Sequence, residues 1–325
     1  MLNIMDFLHI LECPQCRKGD LSVESDFLSC FSCKAKYRII DGVPDLVVAA
    51  NIGDKIEDGM SGSSYSKWND VYSVENEKKD IIGFGVLARE HVEIFAGLKI
   101  MEKISSGDIV LDVGCGKGYV ASALSKLGKT VIGIDFVLEP LLFAKRKFEK
   151  ENLNGIFIRA DMFNLPFKRD VFKFVYSLGV LEHHKDMNLP AREMLRVIRD
   201  GGVSLNVVPA ISIPSLTYAQ LWGSIPNIPM IKDMLYWFHH ILLRGKHCIY
   251  GYELNYSEPQ IKNIFREAGF GINDSKGFNI TVPIYSMKNQ FLKSLAKKLI
   301  TNRLFTRHIY VYSEKTVRGE CDRKR

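Results

Sequence analysis

From residue 109 to residue 208, five short apolar runs (109–113, 130–134, 155–159, 171–176 and 203–208) alternate with stretches of helical periodicity near 118–127, 138–150 and 187–198. The runs are continuously apolar rather than alternating. A strand of that kind is buried on both faces, as happens when helices cover both sides of a parallel sheet. Parallel neighbours need a crossover of a dozen or so residues, and the helical stretches supply it. The pattern predicts a doubly wound α/β domain, with its ligand at the carboxyl ends of the strands. Leu87, His91, Ile94, Leu98 and Met101 share one helical face, which predicts a helix over 84–104 before the first strand. RHIYVYSEK (307–315) reads as a late strand closing the sheet edge.

The first apolar run leads into VLDVGCGKGYV (110–120), with Gly114, Gly116 and Gly118 at every second position. The spacing is not the G-x-G-x-x-G of dinucleotide sites, and no Lys-Ser/Thr pair follows as in a phosphate-binding P-loop. Asp112 enters the loop, Asp135 ends the second run twenty-one residues after Gly114, and Asp161 follows the third run in RADMFNLPF. So much negative charge would repel a pyrophosphate. It suits a ligand carrying adenosine, a sulfonium cation and an ammonium group.

In VLDVGCGKG, VIGIDF, RADMFNLPF, VYSLGVLEHH and MLRVIRDGG, in this order and spacing, the chain resembles the class I S-adenosylmethionine-dependent methyltransferases of type 11 over about residues 84–314. The resemblance implies a Rossmann-like, doubly wound, mostly parallel seven-stranded sheet with S-adenosylmethionine as cofactor. It implies that the glycine loop cradles the methionine portion, Asp112 orients its amino-acid end, and Asp135 holds the ribose. Asp161 would meet the adenine amino group with the Met162 backbone beside it, and Phe136 and Met162 would flank the ring. Cys115, Gly118 and Ser177 complete the expected cofactor set. The family usually has Phe-Asp where this chain has Phe172-Lys173, and Lys-Pro-Gly-Gly where it has Arg199-Asp200-Gly201-Gly202. Both departures fall at element edges, so altered packing or surface charge is expected rather than lost cofactor binding.

The N-terminus carries two C-x₂-C pairs, Cys13/Cys16 and Cys30/Cys33, with thirteen residues between them. Each pair sets two thiolates on one tight turn, and a hairpin can bring the pairs together around one tetrahedral Zn²⁺ with no open position, a structural site. With LECPQCRKGDL and YRIIDGVPDLV, residues 10–48 resemble the small zinc ribbons that activate tRNA and protein methyltransferases. The expected layout is a ribbon over 1–50, a polar linker over 51–80, a methyltransferase domain over 81–316 with an insertion at 210–256, and a tail over 317–325. Tyr65, Trp68 and Tyr72 recur at helical spacing in the linker; they either cover a ligand pocket or anchor the linker.

The formal charge of +7 is concentrated: residues 284–325 hold 11 Lys/Arg and 3 Asp/Glu, and the remainder sums to −1. No run reaches the roughly 18–20 apolar residues of a membrane span, and no signal peptide is read, so a cytoplasmic enzyme is expected. His183 and His184 follow the fourth strand, near the expected methyl group, and are the candidate catalytic bases. His239, His240 and His247 read as packing or surface residues. The aromatic insertion sits where this fold covers the acceptor. Its run MLYWFHHILL (234–243) and the basic amphipathic stretch 289–303 could lie on a membrane surface. The reading is methyl transfer to a small-molecule, lipid-linked or glycan acceptor. The alternative is an rRNA or tRNA methyltransferase using the ribbon for RNA contact, disfavoured by a body without a basic stripe.

Overall fold

The structure, a computed structural model, describes residues 2–48, 67–68, 71–72, 88–248, 250–279, 294 and 302–316. Leu87, Tyr65, most of 51–80, the stretch 289–303 apart from residues 294, 302 and 303, and the tail lie outside them.

Seven strands form the central sheet: β5 (Ile109–Val113), β6 (Thr130–Asp135), β7 (Gly155–Arg159), β8 (Phe172–Leu178), β9 (Ile198–Pro209), β12 (Gly271–Phe278) and β13 (His308–Glu314), in the order β12-β13-β9-β8-β5-β6-β7. All pairs are parallel except those that β13 makes with β9 and β12. This is the Rossmann-like arrangement. The strand order reverses at β5, where β6 lies on one side and β8 on the other, and the crevice opens beyond that point.

The helices Tyr119–Lys126, Leu138–Lys150 and Asn188–Val197 fall where periodicity placed them. Leu141, Ala144 and Phe148 form the inward stripe of the second. The described part of the helix before β5 ends at residue 97 rather than 104; Lys99 turns left-handed (φ 54°) and a 3₁₀ turn, Ile100–Lys103, follows. Its fully buried positions are Ala88, His91 and Phe95, while Ile94, Leu98 and Met101 pack partly against the same core.

Two further differences come from the sheet edge. β13 is not the edge but an interior strand, hydrogen-bonded on both sides, which explains its buried run Ile309–Ser313. The edge is β12, GINDSKGF, whose half-exposed residues lack any apolar alternation. The two departures from the family pattern meet: Lys173 Nζ donates to the Gly201 carbonyl at 2.6 Å, and Arg199 pairs with Asp108 at 2.6 Å.

The N-terminal ribbon is a four-stranded antiparallel sheet, β1 (Leu21–Glu24), β2 (Phe27–Cys30), β3 (Lys36–Ile40) and β4 (Val43–Pro44). It shares one apolar core with the large sheet: Phe7, Leu11, Leu28, Tyr37 and Leu46 belong with Ile158, Phe167 and Met194. Backbone bonds continue the docking, from Leu46 N–H to the Arg159 carbonyl (2.8 Å) and from Lys168 N–H to the Ile10 carbonyl (2.8 Å). Across the same seam Glu12 accepts from Arg17 and Arg196, and Glu193 accepts from the same two arginines at 2.7 and 2.9 Å. Arg196 also donates to the carbonyls of Phe167 and Leu165. Burial pushes the Glu193 carboxyl up, but the bonds from Arg196 and Arg17 outweigh it and hold it below its ordinary value.

Candidate active site and thiol cluster

Beyond the carboxyl ends of β5, β6 and β8 lies a cavity of about 590 Å³, within the range of small-molecule sites. The loop after β5 forms its floor. Gly114 (φ 74°) and Gly116 (φ 50°) are left-handed, and a Cβ on Gly114 would sit 2.2 Å from Val180 Cγ2. A Cβ on Gly116 would sit 2.6 Å from the Tyr72 hydroxyl. Both positions lie in the left-handed region that a residue with a Cβ adopts only with strain, which suits glycine.

Asp112, Cys115, Asp135, Phe136, Asp161, Met162, His183 and His184 line the cavity with these glycines. Ser177 does not; it is buried and its hydroxyl donates to the Val113 carbonyl at 3.0 Å. Gly118 also lies off the cavity, where it starts the Tyr119–Lys126 helix against Ala144 and Phe157. Asp135 accepts from Gly116 N–H and Val137 N–H, both at 2.9 Å, so the end of β6 fixes the loop after β5. Burial pushes Asp135 up to about 6 against these bonds, and burial together with the Asp135 charge pushes Asp112 up to about 7. The His183 Nδ1 lies 2.7 Å from the Tyr252 carbonyl. A carbonyl only accepts, so Nδ1 carries the proton and Nε2 the lone pair. Burial lowers the ring to about 4, so it is neutral at pH 7.

Other wall residues have no motif of their own. Trp68 and Tyr72 line the cavity; Trp68 stacks on Tyr72 (5.5 Å) and Tyr250 (5.3 Å) and meets His183 edge-on (5.2 Å). Both roles open to these aromatics are visible at Trp68, which lines the cavity and docks its segment on Tyr250 and His183. The insertion supplies Ser212, Trp222, Glu253 and Asn255, the last two on β11 (Glu253–Asn255), which pairs in parallel with β10 (Ser224–Pro226). Burial pushes Glu253 up to about 7 against the Arg307 charge, burial and then the Glu253 charge push Glu182 up, and among the described residues the buried Glu182 Oε2 has no hydrogen-bond partner. Glu182 stands inside the motif that supplied the histidines, and was legible there. His239 is buried and bonds His247 and Gln220 at 2.8 Å each, a packing role.

In the ribbon, the sulfurs of Cys13, Cys16, Cys30 and Cys33 all lie within 4.8 Å of one another, among the described residues the sole cluster of three or more such metal-ligating side chains. Cys13 and Cys33 are 3.6 Å apart and Cys16 and Cys30 3.7 Å. A zinc ion with four bonds of about 2.3 Å has sulfur–sulfur edges of about 3.8 Å, so the donor set fits.

Residues 111–205 match the model of the methyltransferase domain family. The chain is 37% identical over 102 residues to the methyltransferase GfsG of Streptomyces halstedii, covering 30% of this chain and 37% of that one. It is 33% identical over 149 residues to the demethylmenaquinone methyltransferase of Halalkalibacterium halodurans, covering 44% and 55%. It thus spans about half or less of the length of these relatives. Among solved structures, a Haemonchus contortus phosphoethanolamine N-methyltransferase 2 in complex with S-adenosyl-L-methionine is 19% identical, with a TM-score of 0.48 over 69% of this chain and 52% of that one. By its matched motifs, the segment 111–205 is similar to the methyltransferase domain family.

Proposed function

We propose that the protein transfers a methyl group from S-adenosylmethionine to a small-molecule, lipid-linked or glycan acceptor. The observation that carries the reading is the convergence of three strand-end acids, Asp112, Asp135 and Asp161, on one cavity floored by a glycine turn. Asp135 is the ribose acceptor and Asp161 the adenine partner, with Phe136 and Met162 beside the ring. Asp112 faces the ammonium end, where a cation relieves the crowding of Asp112 and Asp135. Bound there, the cofactor supplies an electrophilic methyl on sulfur. The protein's part is position and exclusion of water, which Trp68, Tyr72 and Tyr250 provide as a cover.

His183 is the catalytic candidate when the acceptor must lose a proton, because its neutral ring keeps Nε2 as an acceptor. His184 lines the wall beside Phe163 (4.8 Å). The four thiolates hold a structural Zn²⁺, with the Tyr37 hydroxyl 3.1 Å from Cys13 Sγ as a supporting donor. The ribbon's Arg17 is engaged inward by Glu12 and Glu193, which favours this reading over RNA contact. Calorimetry with S-adenosylhomocysteine tests the cofactor; saturable one-to-one binding is expected, and none would overturn the reading. Mass spectrometry of small-molecule, lipid and RNA fractions treated with methyl-labelled cofactor then identifies the acceptor class.

A further inference from the structure

The insertion contains a helical segment turned inside out. Residues Ile231–Tyr236 form an α-helix and Trp237–Leu242 continue it with π-type turns. Met234, Trp237, Phe238, Ile241 and Leu242 recur every three to four residues and are 42–60% exposed. The opposite face is the one that packs: His239 is buried, and Leu235 and Tyr236 rest on the core. His240 stacks on Tyr236 at 5.1 Å. An ordinary surface helix buries its apolar stripe and shows its polar one to water. Here the histidines face inward and the stripe of Met, Trp, Phe, Ile and Leu faces outward. Met230, next to the helix, is 84% exposed, and Leu221 in the neighbouring turn 75%.

We propose that this face docks on an anionic lipid surface. Thirteen residues (231–243) are too few to span a bilayer and enough to lie in its interface. Lys232 precedes the stripe and Arg244 and Lys246 follow it, against the single acid Asp233. That charge complements acidic headgroups, whereas two copies packed stripe to stripe would bring like charges together. Trp237 is the side chain most at home at the headgroup level. The docking stands apart from the methyl-transfer reading; other residues of the same insertion, Trp222, Glu253 and Asn255 among them, line the cavity.

The test is sedimentation of the full chain with phosphatidylcholine vesicles, with and without phosphatidylglycerol. Wild-type protein is expected to sediment with the anionic vesicles and less with the neutral ones. The combined variant Trp237→Ser, Ile241→Ser, Leu242→Ser is expected to lose about tenfold or more in vesicle affinity, with an unchanged circular dichroism spectrum. Lys232→Glu with Arg244→Glu should weaken binding to anionic vesicles only. Should the combined variant not fold, Trp237→Ser alone carries the comparison with a smaller loss. Absence of wild-type binding, or binding that both variants leave unchanged, overturns the proposal. So does vesicle-free self-association that the combined variant abolishes, which would assign the face to a second copy.

Discussion

Two places in this molecule bury carboxylates, and they treat them oppositely. At the ribbon seam, Glu12 and Glu193 meet Arg17 and Arg196, with backbone carbonyls taking up further guanidinium N–H groups. In the cleft, the charge that most affects Asp112 is another carboxylate, Asp135, and Glu182 has Glu253 for company. The first arrangement lowers a carboxyl; in the second, burial raises four, and a neighbouring carboxylate adds to the rise at Asp112 and Glu182. A seam that must hold two sheets together satisfies its own charges, because one uncompensated buried charge is strongly destabilising. A cleft that gathers raised acids on backbone bonds, without a paired cation among the described residues such as the seam has, keeps a place for a cationic ligand.

The largest effect expected from breaking that contrast lies on the seam side, at the thiols. Chelation, or Cys30→Ser, should release about one zinc per chain and expose the ribbon to protease. Structural zinc in small modules is worth on the order of 10–16 kcal/mol. Metal analysis alongside limited proteolysis checks it; a zinc-free ribbon that stays resistant would refute the assignment. Next comes Arg196→Ala, which leaves Glu12 and Glu193 with Arg17 as their remaining arginine and should cost about 1.5–3 kcal/mol in denaturant unfolding. Affinity for S-adenosylhomocysteine, measured below the transition, should change little. If binding is lost along with stability, seam and cleft are not separable in the way described.

On the cleft side the effect falls on affinity first. Asp135→Asn should weaken S-adenosylhomocysteine by roughly 1.5–3 kcal/mol and lower the melting temperature modestly, since relief of a buried charge is set against the loss of one of the two backbone N–H bonds that the carboxylate accepts. Unchanged affinity in calorimetry would sink Asp135 as the ribose acceptor. The smallest and most diagnostic effect is with pH. Carboxyls raised to about 6 and about 7 bind protons more tightly folded than unfolded, where they titrate near 4. Their contribution to the unliganded protein's stability is therefore favourable at low pH and lost as pH rises from about 4 to about 7. A ligand bearing an ammonium group prefers them ionised, so the melting-temperature gain from S-adenosylhomocysteine should widen between pH 5.5 and pH 8. A gain flat across that range would mean that neither acid faces the ligand's cation.

What the sequence determined by itself is what local order can encode. Apolar runs place β5 to β9, and 3.6-residue periodicity places the helices at 119–126, 138–150 and 188–197. Paired C-x₂-C turns bring four sulfurs together, and left-handed glycines beside strand-end acids mark the cavity floor. Each is a property of neighbours a few residues apart, so each survives reading the chain in one dimension. The tertiary structure decided the rest. Arg17 finds Glu193 from 176 residues away, and no periodicity links them. β12 is an edge strand with too little burial to carry an apolar pattern, while β13 moved inward because β12 took the edge. Ser177 stands in a cofactor motif yet spends its hydroxyl on Val113 beneath the cavity. The 231–243 segment has the stripe of any amphipathic helix, and only packing against the core fixed which side faces out. Side-chain pattern sets which face differs from the other; the neighbours brought in by the fold set where that face points.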